Sequence, residues 1–435
     1  MWNPDAADAP ETPLPRTFDD ALGRRIIALH VWAVREGLRG ATAYDLFDGF
    51  CQRLVIEGVP LWRAHATTPT LHPQWSSFGY TWRRELNAIE HEQRPHVVIA
   101  PAGFLRSPFY ALVRRAEGGE HNPTIRRRIE AGPDQRDFPV LDEFFAAGAT
   151  DYFAQLLVFG TGHDRSHGSG AIYSFTTDRH GGFADDDLTL LQATLPALSL
   201  ALKAHVGHVI AAGLLQAYLG EDAGRRVLAG AVVRGSVESV HAVLWYADIR
   251  GFTAIADAAP GFVVVELLDD VFETLTAALR PRGGQVLKFL GDGMLAAFAV
   301  EGTDRAETCR RALAAAAEAM HALDALNAER ATAGKPVAAV DLALHLGEVL
   351  YGNVGAADRL DFTVIGPAVN EVARLEALCE KLDRRVLVSA ELAAAAEDGN
   401  LRLEPLGRQT LRGIREAREI FALDLTPTPP NGSAQ

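Results

Sequence analysis

Two aspartates sit where the surrounding sequence would hold them rigidly against a metal ion. The first is Asp248, within Trp245-Tyr246-Ala247-Asp248-Ile249-Arg250-Gly251-Phe252-Thr253. The apolar, β-prone run His241–Tyr246 predicts a buried strand leading into it, and a glycine-containing loop follows. A carboxylate at a strand end is well fixed, and the loop amides beside it can face phosphate oxygens. Alone this pattern is weak, because aspartate often ends a strand simply as a turn former. The second is Asp292, in Lys288-Phe289-Leu290-Gly291-Asp292-Gly293. Its Gly-Asp-Gly suits a tight hairpin turn. Two carboxylates at neighbouring strand ends can bridge a metal pair, and one or two carboxylates plus substrate phosphates are the usual ligands of Mg²⁺.

A third stretch runs Leu360-Asp361-Phe362-Thr363-Val364-Ile365-Gly366-Pro367-Ala368-Val369-Asn370-Glu371-Val372-Ala373-Arg374-Leu375-Glu376. It reads as a strand passing through a Gly-Pro break into a helix. Asn370 and Arg374 are four apart and share a helix face. An asparagine can orient a ribose, and an arginine can neutralise charge on a transferring phosphoryl group. Taken singly, either residue also fits the polar face of an amphipathic helix, and Lys288 fits an ordinary solvent-facing strand lysine.

The elements that must position these residues follow from periodicity and breakers. After the His241–Tyr246 strand the pattern predicts a helix over Gly261–Leu279. A hairpin of Gln285–Leu290 and Met294–Val300 comes next, then an alanine-rich helix over about Arg305–Arg330. Strands at Val337–Leu346 and Asp361–Ile365 precede a helix at Pro367–Lys381. This order, with its central hairpin, fits a ferredoxin-like α+β core.

With those blocks in place, Val240–Leu425 resembles a class III nucleotide cyclase catalytic domain, the fold shared by adenylate and guanylate cyclases. The resemblance covers somewhat under half the chain. It implies that Asp248 and Asp292, helped by the Ile249 carbonyl, bind two Mg²⁺ or Mn²⁺ ions per active site. It further implies that Gly251, Phe252 and Thr253 lie against the triphosphate, that Lys288 contacts the purine, that Asn370 orients the ribose and that Arg374 stabilises the transition state. Arg412, in Leu411-Arg412-Gly413-Ile414, falls where many relatives carry a triphosphate-binding lysine; it keeps the charge and changes the geometry.

The purine-selecting partner of Lys288 is, in many adenylate cyclases, an aspartate seven residues before the asparagine. Here that position is Thr363, and Asp361 lies two residues earlier on the same strand face. Spacing favours Thr363, with Asp361 as rival. A Lys–Thr pair resembles class IIIb, which includes bicarbonate-stimulated adenylate cyclases. Lys288 in place of the glutamate usual in guanylate cyclases implies ATP rather than GTP. The family builds each site from two catalytic domains, so one domain per chain implies a homodimer with composite sites; a C₂ dimer is also the commonest symmetric oligomer. Competing readings are a catalytically silent, dimerising nucleotide-sensing module and a guanylate cyclase. A diguanylate cyclase is excluded, because the turn is Gly-Asp-Gly rather than Gly-Gly-Asp/Glu-Glu-Phe.

The rest of the chain divides into expected parts. Residues 1–16, acidic and proline-rich, and 426–435, Pro/Gly/Ser-rich, read as disordered. Residues 17–205 read as a sensor domain, 206–236 as a helical linker and 237–425 as the catalytic domain. In the first of these, helices are predicted at Phe18–Glu36 and Ala43–Glu57. Strands are predicted at His96–Ala100, Phe153–Phe159 and Ala171–Thr176. Asp185-Asp186-Asp187 then starts a leucine-periodic helix that Pro196 should kink. Ala171–Lys203 resembles the last strand and closing helix of GAF-type sensor domains, which implies an α/β domain for an unidentified small-molecule or protein regulator. Val209–Leu228 reads as a helix, either a signal relay or a packed linker. Histidines are scattered; His163 and His167 are four apart, but Gly160–Gly170 reads as a loop, so no haem or zinc is expected.

Bulk composition narrows the classes. The chain has 435 residues, 48% hydrophobic and 23% charged, enough apolar material for two cores. A net charge of −14 argues against a nucleic-acid partner, which demands a basic face. Cys51, Cys309 and Cys379 are widely spaced and suit a reducing cytosol. No signal-peptide pattern opens the chain. No stretch reads as roughly 20 consecutive apolar residues, so no membrane span is expected and a cytoplasmic location is.

Overall fold

Apolar residues on both sides of the central strands give each sheet two buried faces, and the chain packs as two units, Met1–Leu214 and Leu215–Gln435. The computed structural model describes residues 20–86, 88–96, 102–159, 170–300, 302, 304–396, 401–414 and 416–426. The terminal segments and the Gly160–Gly170 loop, with His163 and His167, therefore lie outside the described residues, apart from Thr426 and Gly170.

The first unit comprises α1 (Asp20–Leu38), α2 (Ala43–Ile56), β1 (Arg63–Pro69), β2 (Trp75–Arg83), β3 (Ala88–Pro95), α3 (Ala102–Leu105), α4 (Pro108–Glu117), β4 (Thr124–Arg127), α5 (Pro139–Ala146), β5 (Asp151–Val158), β6 (Gly170–Thr177) and most of α6 (Asp185–Leu219). Six strands form one antiparallel sheet in the order β3-β2-β1-β6-β5-β4. Phe153 and Leu157 of β5 and Tyr173 and Phe175 of β6 face a core shared with α1, α2 and α6. Tyr152, Ala154 and Leu156 face the opposite core, with Leu112 of α4 and Leu141 of α5.

One expectation for this half needs correction, the absence of a long apolar stretch. Of the strand expected at His96–Ala100, residues 97–100 lie outside the described residues; the strand before it, β3, ends at Pro95. α6 continues through Pro196 to Leu219: the proline is exposed, while buried Leu191, Leu195 and Leu198 keep the opposite face packed. Because the leucine-periodic segment and the following stretch join into one helix, α6 is long and apolar enough by length and composition to cross a membrane. Its first half packs as a core helix, with Leu190, Thr194, Leu202 and Val206 also buried.

The second unit contains α7 (Glu221–Leu228), β7 (Val237–Ile249), α8 (Phe252–Ala258), α9 (Gly261–Leu279), β8 (Gln285–Leu290), β9 (Gly293–Ala299), α10 (Arg305–Thr332), β10 (Val340–Gly355), β11 (Leu360–Ile365), α11 (Pro367–Glu376), α12 (Cys379–Leu382), β12 (Val386–Ser389), α13 (Ala390–Ala395), β13 (Leu403–Gln409) and β14 (Arg418–Leu423). Gly220, at φ +87°, ends α6, so the helix expected over Val209–Leu228 is divided there. The segment after it packs on the catalytic sheet: Arg226 lies over the Tyr351 ring, and Asn353 Nδ2 donates to the Ala231 carbonyl at 2.7 Å. The helix expected over Pro367–Lys381 is likewise two, α11 and α12.

The strand order β13-β14-β12-β10-β7-β9-β8, with β11 also on β10, has the expected core at its centre. The segment β7-α9-β8-β9-α10-β10 is a βαββαβ unit whose strands lie β10-β7-β9-β8, all antiparallel. Val243, Trp245 and Ala247 of β7 pack with α9 and α10 on one face. Ala242 and Leu244 pack with Val372 and Leu375 of α11 on the other. Asp248 and the α11 residues are thus held by two cores sharing one sheet.

Candidate active site

β7 is buried on both faces over Ala242–Trp245 and again at Ala247, so the end of the strand is fixed by packing before the chain leaves the sheet. Asp248 pairs with Gly293 on β9 and with Asp341 on β10. The β8–β9 hairpin reverses through Gly291, at φ +70°, so Asp292 directly precedes the residue opposite Asp248. The two aspartates predicted as a pair are thus brought to the same end of the ladder. Gly293 is a glycine for a local reason: a Cβ there would sit 2.8 Å from Asp248 Oδ1. The Asp248 carboxylate fills that space.

Further acids converge on the pair. Partial burial, then Asp292 and Asp341, push the Asp248 carboxyl up to about 6. Burial, then Asp248, Asp341 and Asp292, push Glu376 of α11 up to about 7, against a lowering from Arg250. Tyr246 is raised by burial and the same acids. Arg250 offsets part of this charge through Asp341: its Nη2 donates to Oδ1 at 2.6 Å and its Nε to Oδ2 at 3.0 Å. Carboxylates that raise one another's pKa in this way form a donor set for a hard divalent cation. The chemistry of these donors suits a hard divalent cation such as Mg²⁺ or Mn²⁺.

The remaining predicted residues lie as follows. Gly251, at φ +66°, turns the chain from β7 into α8; Gly251 and Thr253 are exposed and Phe252 is half-buried against the core of α9. Lys288 of β8 is exposed and forms an ion pair with Asp361 of β11. Thr363 pairs with Gly352 on β10, two residues along from Asp361 on the same face. The lysine is therefore joined to the rival residue rather than to the one that spacing favours. On α11, Asn370 is exposed and Arg374 half-buried; a Cβ at Gly413 would lie 3.7 Å from Arg374 Nη2, so that guanidinium rests on the segment carrying exposed Arg412.

Sequence reasoning missed Arg250, Asp341 and Glu376 as members of the acidic cluster. Glu376 closes the third motif, two residues after Arg374, so its place at the end of that helix was the available signal. Asp341 carried a weaker one, an acid inside an otherwise apolar buried strand.

Comparisons with known proteins agree with this geometry. Residues 236–424 match the family described as adenylate and guanylate cyclase catalytic domain. An adenylate cyclase of Anabaena cylindrica is 32% identical over 176 residues, 39% of this chain and 34% of that protein. Adenylate cyclase 1 of Rhizobium meliloti is 30% identical over 203 residues, 44% and 30% of the respective chains. The chain thus spans about a third of the length of these relatives. Among solved structures, a bacterial light-regulated adenylyl cyclase is similar at TM-score 0.45 and 24% identity, over 54% of this chain and 65% of that one. The adenylyl cyclase CyaB from P. aeruginosa is similar at 0.38 and 23%, over 43% and 96%. The βαββαβ core, the paired aspartates at its ladder end and the family match agree that residues 236–424 are a class III adenylate/guanylate cyclase catalytic domain.

Proposed function

We propose that the chain is an adenylate cyclase that converts ATP to 3′,5′-cyclic AMP and pyrophosphate, governed by its N-terminal unit. The observation that carries this reading is the Asp248–Asp292 pair, with Gly293 left bare to accommodate the Asp248 carboxylate. Two divalent ions, when bound, would lower the pKa of the ribose 3′-hydroxyl and offset triphosphate charge. Asp248, Asp292 and the Ile249 carbonyl hold that position. The 3′-hydroxyl loses its proton to solvent, its oxygen bonds to the α-phosphorus, the α-phosphorus–bridging-oxygen bond breaks and pyrophosphate leaves with that electron pair. Arg374 stabilises charge developing on the α-phosphoryl group, Asn370 orients the ribose, and Arg412 with the Gly251–Thr253 loop binds the phosphates. Lys288 donates to a ring nitrogen of adenine, and Thr363 accepts from the exocyclic amine. The Lys288–Asp361 ion pair gives Asp361 a second claim on that role.

The same reading makes the active species a homodimer, with the aspartates of one protomer facing the Lys288, Thr363, Asn370 and Arg374 set of its partner. The first unit's six-stranded antiparallel sheet, with helices on both faces, supports a GAF-like sensor for a small-molecule or protein regulator. A Lys–Thr pair of class IIIb type makes bicarbonate a candidate stimulator, and we place the protein in the cytoplasm. The test is to incubate purified protein with ATP or GTP and Mg²⁺ or Mn²⁺ and identify the product. Cyclic AMP is expected; no cyclic nucleotide under any condition rejects the reading.

A further inference from the structure

A second group of metal-type donors lies on the same unit, built from β10, α11 and α13 and containing neither Asp248 nor Asp292. His345 stands near the middle of β10 and is only 5% exposed. Its Nδ1 is buried without a hydrogen-bond partner. Glu391 Oε2, from the first turn of α13, lies 3.8 Å from that nitrogen, beyond hydrogen-bond range. Glu371 of α11 completes the group: one ring nitrogen and one oxygen from each carboxylate all lie within 4.8 Å of one another. Arg418 Nε approaches Glu371 Oε1 at 3.3 Å from β14.

We propose that His345, Glu371 and Glu391 bind one divalent transition-metal ion of the zinc class. An orphaned buried imidazole nitrogen aimed at two carboxylates is an arrangement that an ion satisfies at once. The mixed nitrogen and oxygen donors favour Zn²⁺ over Mg²⁺ or Ca²⁺, which prefer oxygen alone. Bonds of about 2.0–2.2 Å would set tetrahedral ligands roughly 3.3–3.6 Å apart, so these side chains need to close by only about an ångström. Burial lowers the pKa of His345 and Arg418 lowers it further, against raising by Glu371 and Glu391. The neutral ring is the form that ligates. Arg418 Nε lies close to the Glu371 carboxylate without hydrogen-bonding it, so it places a positive charge beside that ligand. Glu391, with its side chain 41% exposed, leaves a route in from solvent and a fourth position for water. The ion joins β10, α13 and α11, the helix that also carries Asn370 and Arg374.

The experiment uses the full chain carrying Asp248→Asn and Asp292→Asn, which removes metal binding at the aspartate pair. Zinc stoichiometry is measured by equilibrium dialysis, and melting is followed with and without zinc. Glu391→Gln and Glu371→Gln are then added singly. Each should lose one zinc equivalent, or weaken it about ten- to a hundredfold, together with its share of zinc-induced thermal stabilisation. Glu391→Gln, at a half-exposed position, should melt like its parent without zinc, which separates lost binding from lost folding. Unchanged stoichiometry and affinity in both variants, or no zinc bound by the parent, overturns the proposal.

Discussion

Lys288 on β8 is ion-paired with Asp361 on β11, joining residues 73 apart in sequence. Both side chains are nearly half-exposed, and exposed pairs of this kind contribute about 0.2–1 kcal/mol. A purine can therefore displace Asp361 from the lysine at small cost. Asp361→Ala should change KM for ATP by less than about fivefold. Lys288→Glu should reduce the preference for ATP over GTP by about tenfold or more, the equivalent of one charge-assisted hydrogen bond. Steady-state kinetics with both nucleotides measures both effects. A large loss of ATP preference in Asp361→Ala, with none in Thr363→Ala, would assign base selection to the aspartate.

Asp248→Ala and Asp292→Ala should each lower cyclase activity about a hundredfold or more, since metal-borne charge stabilisation amounts to several kcal/mol. Removing a carboxylate from a group of mutually repelling acids should not lower the melting temperature measured without divalent ions. Activity assays and metal-free melting curves, taken together, distinguish a lost site from a lost fold.

Mixing should restore activity between chains with different defects. Asp248→Ala lacks one half-set and Arg374→Ala the other, so a heterodimer retains one complete composite site. Each variant alone should be inactive, and the mixture should regain part of the parent activity. No rescue, with heterodimers demonstrated by differential tagging, counts against sites shared between protomers.

The pH dependence of stability should report the crowding of acids. Glu376 moves from 4.5 to about 7 on folding and Asp248 from 3.8 to about 6. Between the lower and upper value of each, the folded chain binds more protons than the unfolded one. Stability without divalent ions therefore falls as pH rises through about 4 to about 7. Glu376→Gln should flatten the upper part of that decline and raise the melting temperature at pH above about 7. A profile unchanged by the substitution would show that Glu376 does not share the field of the aspartates.

Local signals carried much of the fold. The helix bounds at Gly261 and Leu279 follow from apolar spacing, and the β8–β9 hairpin follows from Gly291-Asp292-Gly293. What escaped was set by long-range register. Asp341 reaches Asp248 through the β7–β10 ladder, and Glu376 reaches both through the packing of α11 on that sheet. Neither relationship has a spacing along the chain that announces it. In the first unit, β2 is interrupted by Gly79 and mixes serine with aromatic residues, so its place in the sheet depended on β1 and β3 rather than on its own alternation. The continuity of α6 was hidden for another reason: Lys203, His205 and Gly207 interrupt the apolar spacing between its leucine-periodic part and Val209, so nothing local shows that the two stretches join.

The two glycines beside Asp292 stand under different kinds of selection. Gly291 answers to the backbone: at φ +70° it can be exchanged for asparagine, which tolerates that conformation, with a modest loss. Gly293 answers to its neighbours: a Cβ there would lie 2.8 Å from Asp248 Oδ1 and 3.2 Å from the Ala247 carbonyl oxygen, so another residue must turn that carboxylate aside. In a mutational library or over evolutionary drift, position 291 has an alternative and position 293 has none while Asp248 keeps its place. Any other residue at 293 would therefore displace the Asp248 carboxylate from the place it holds here.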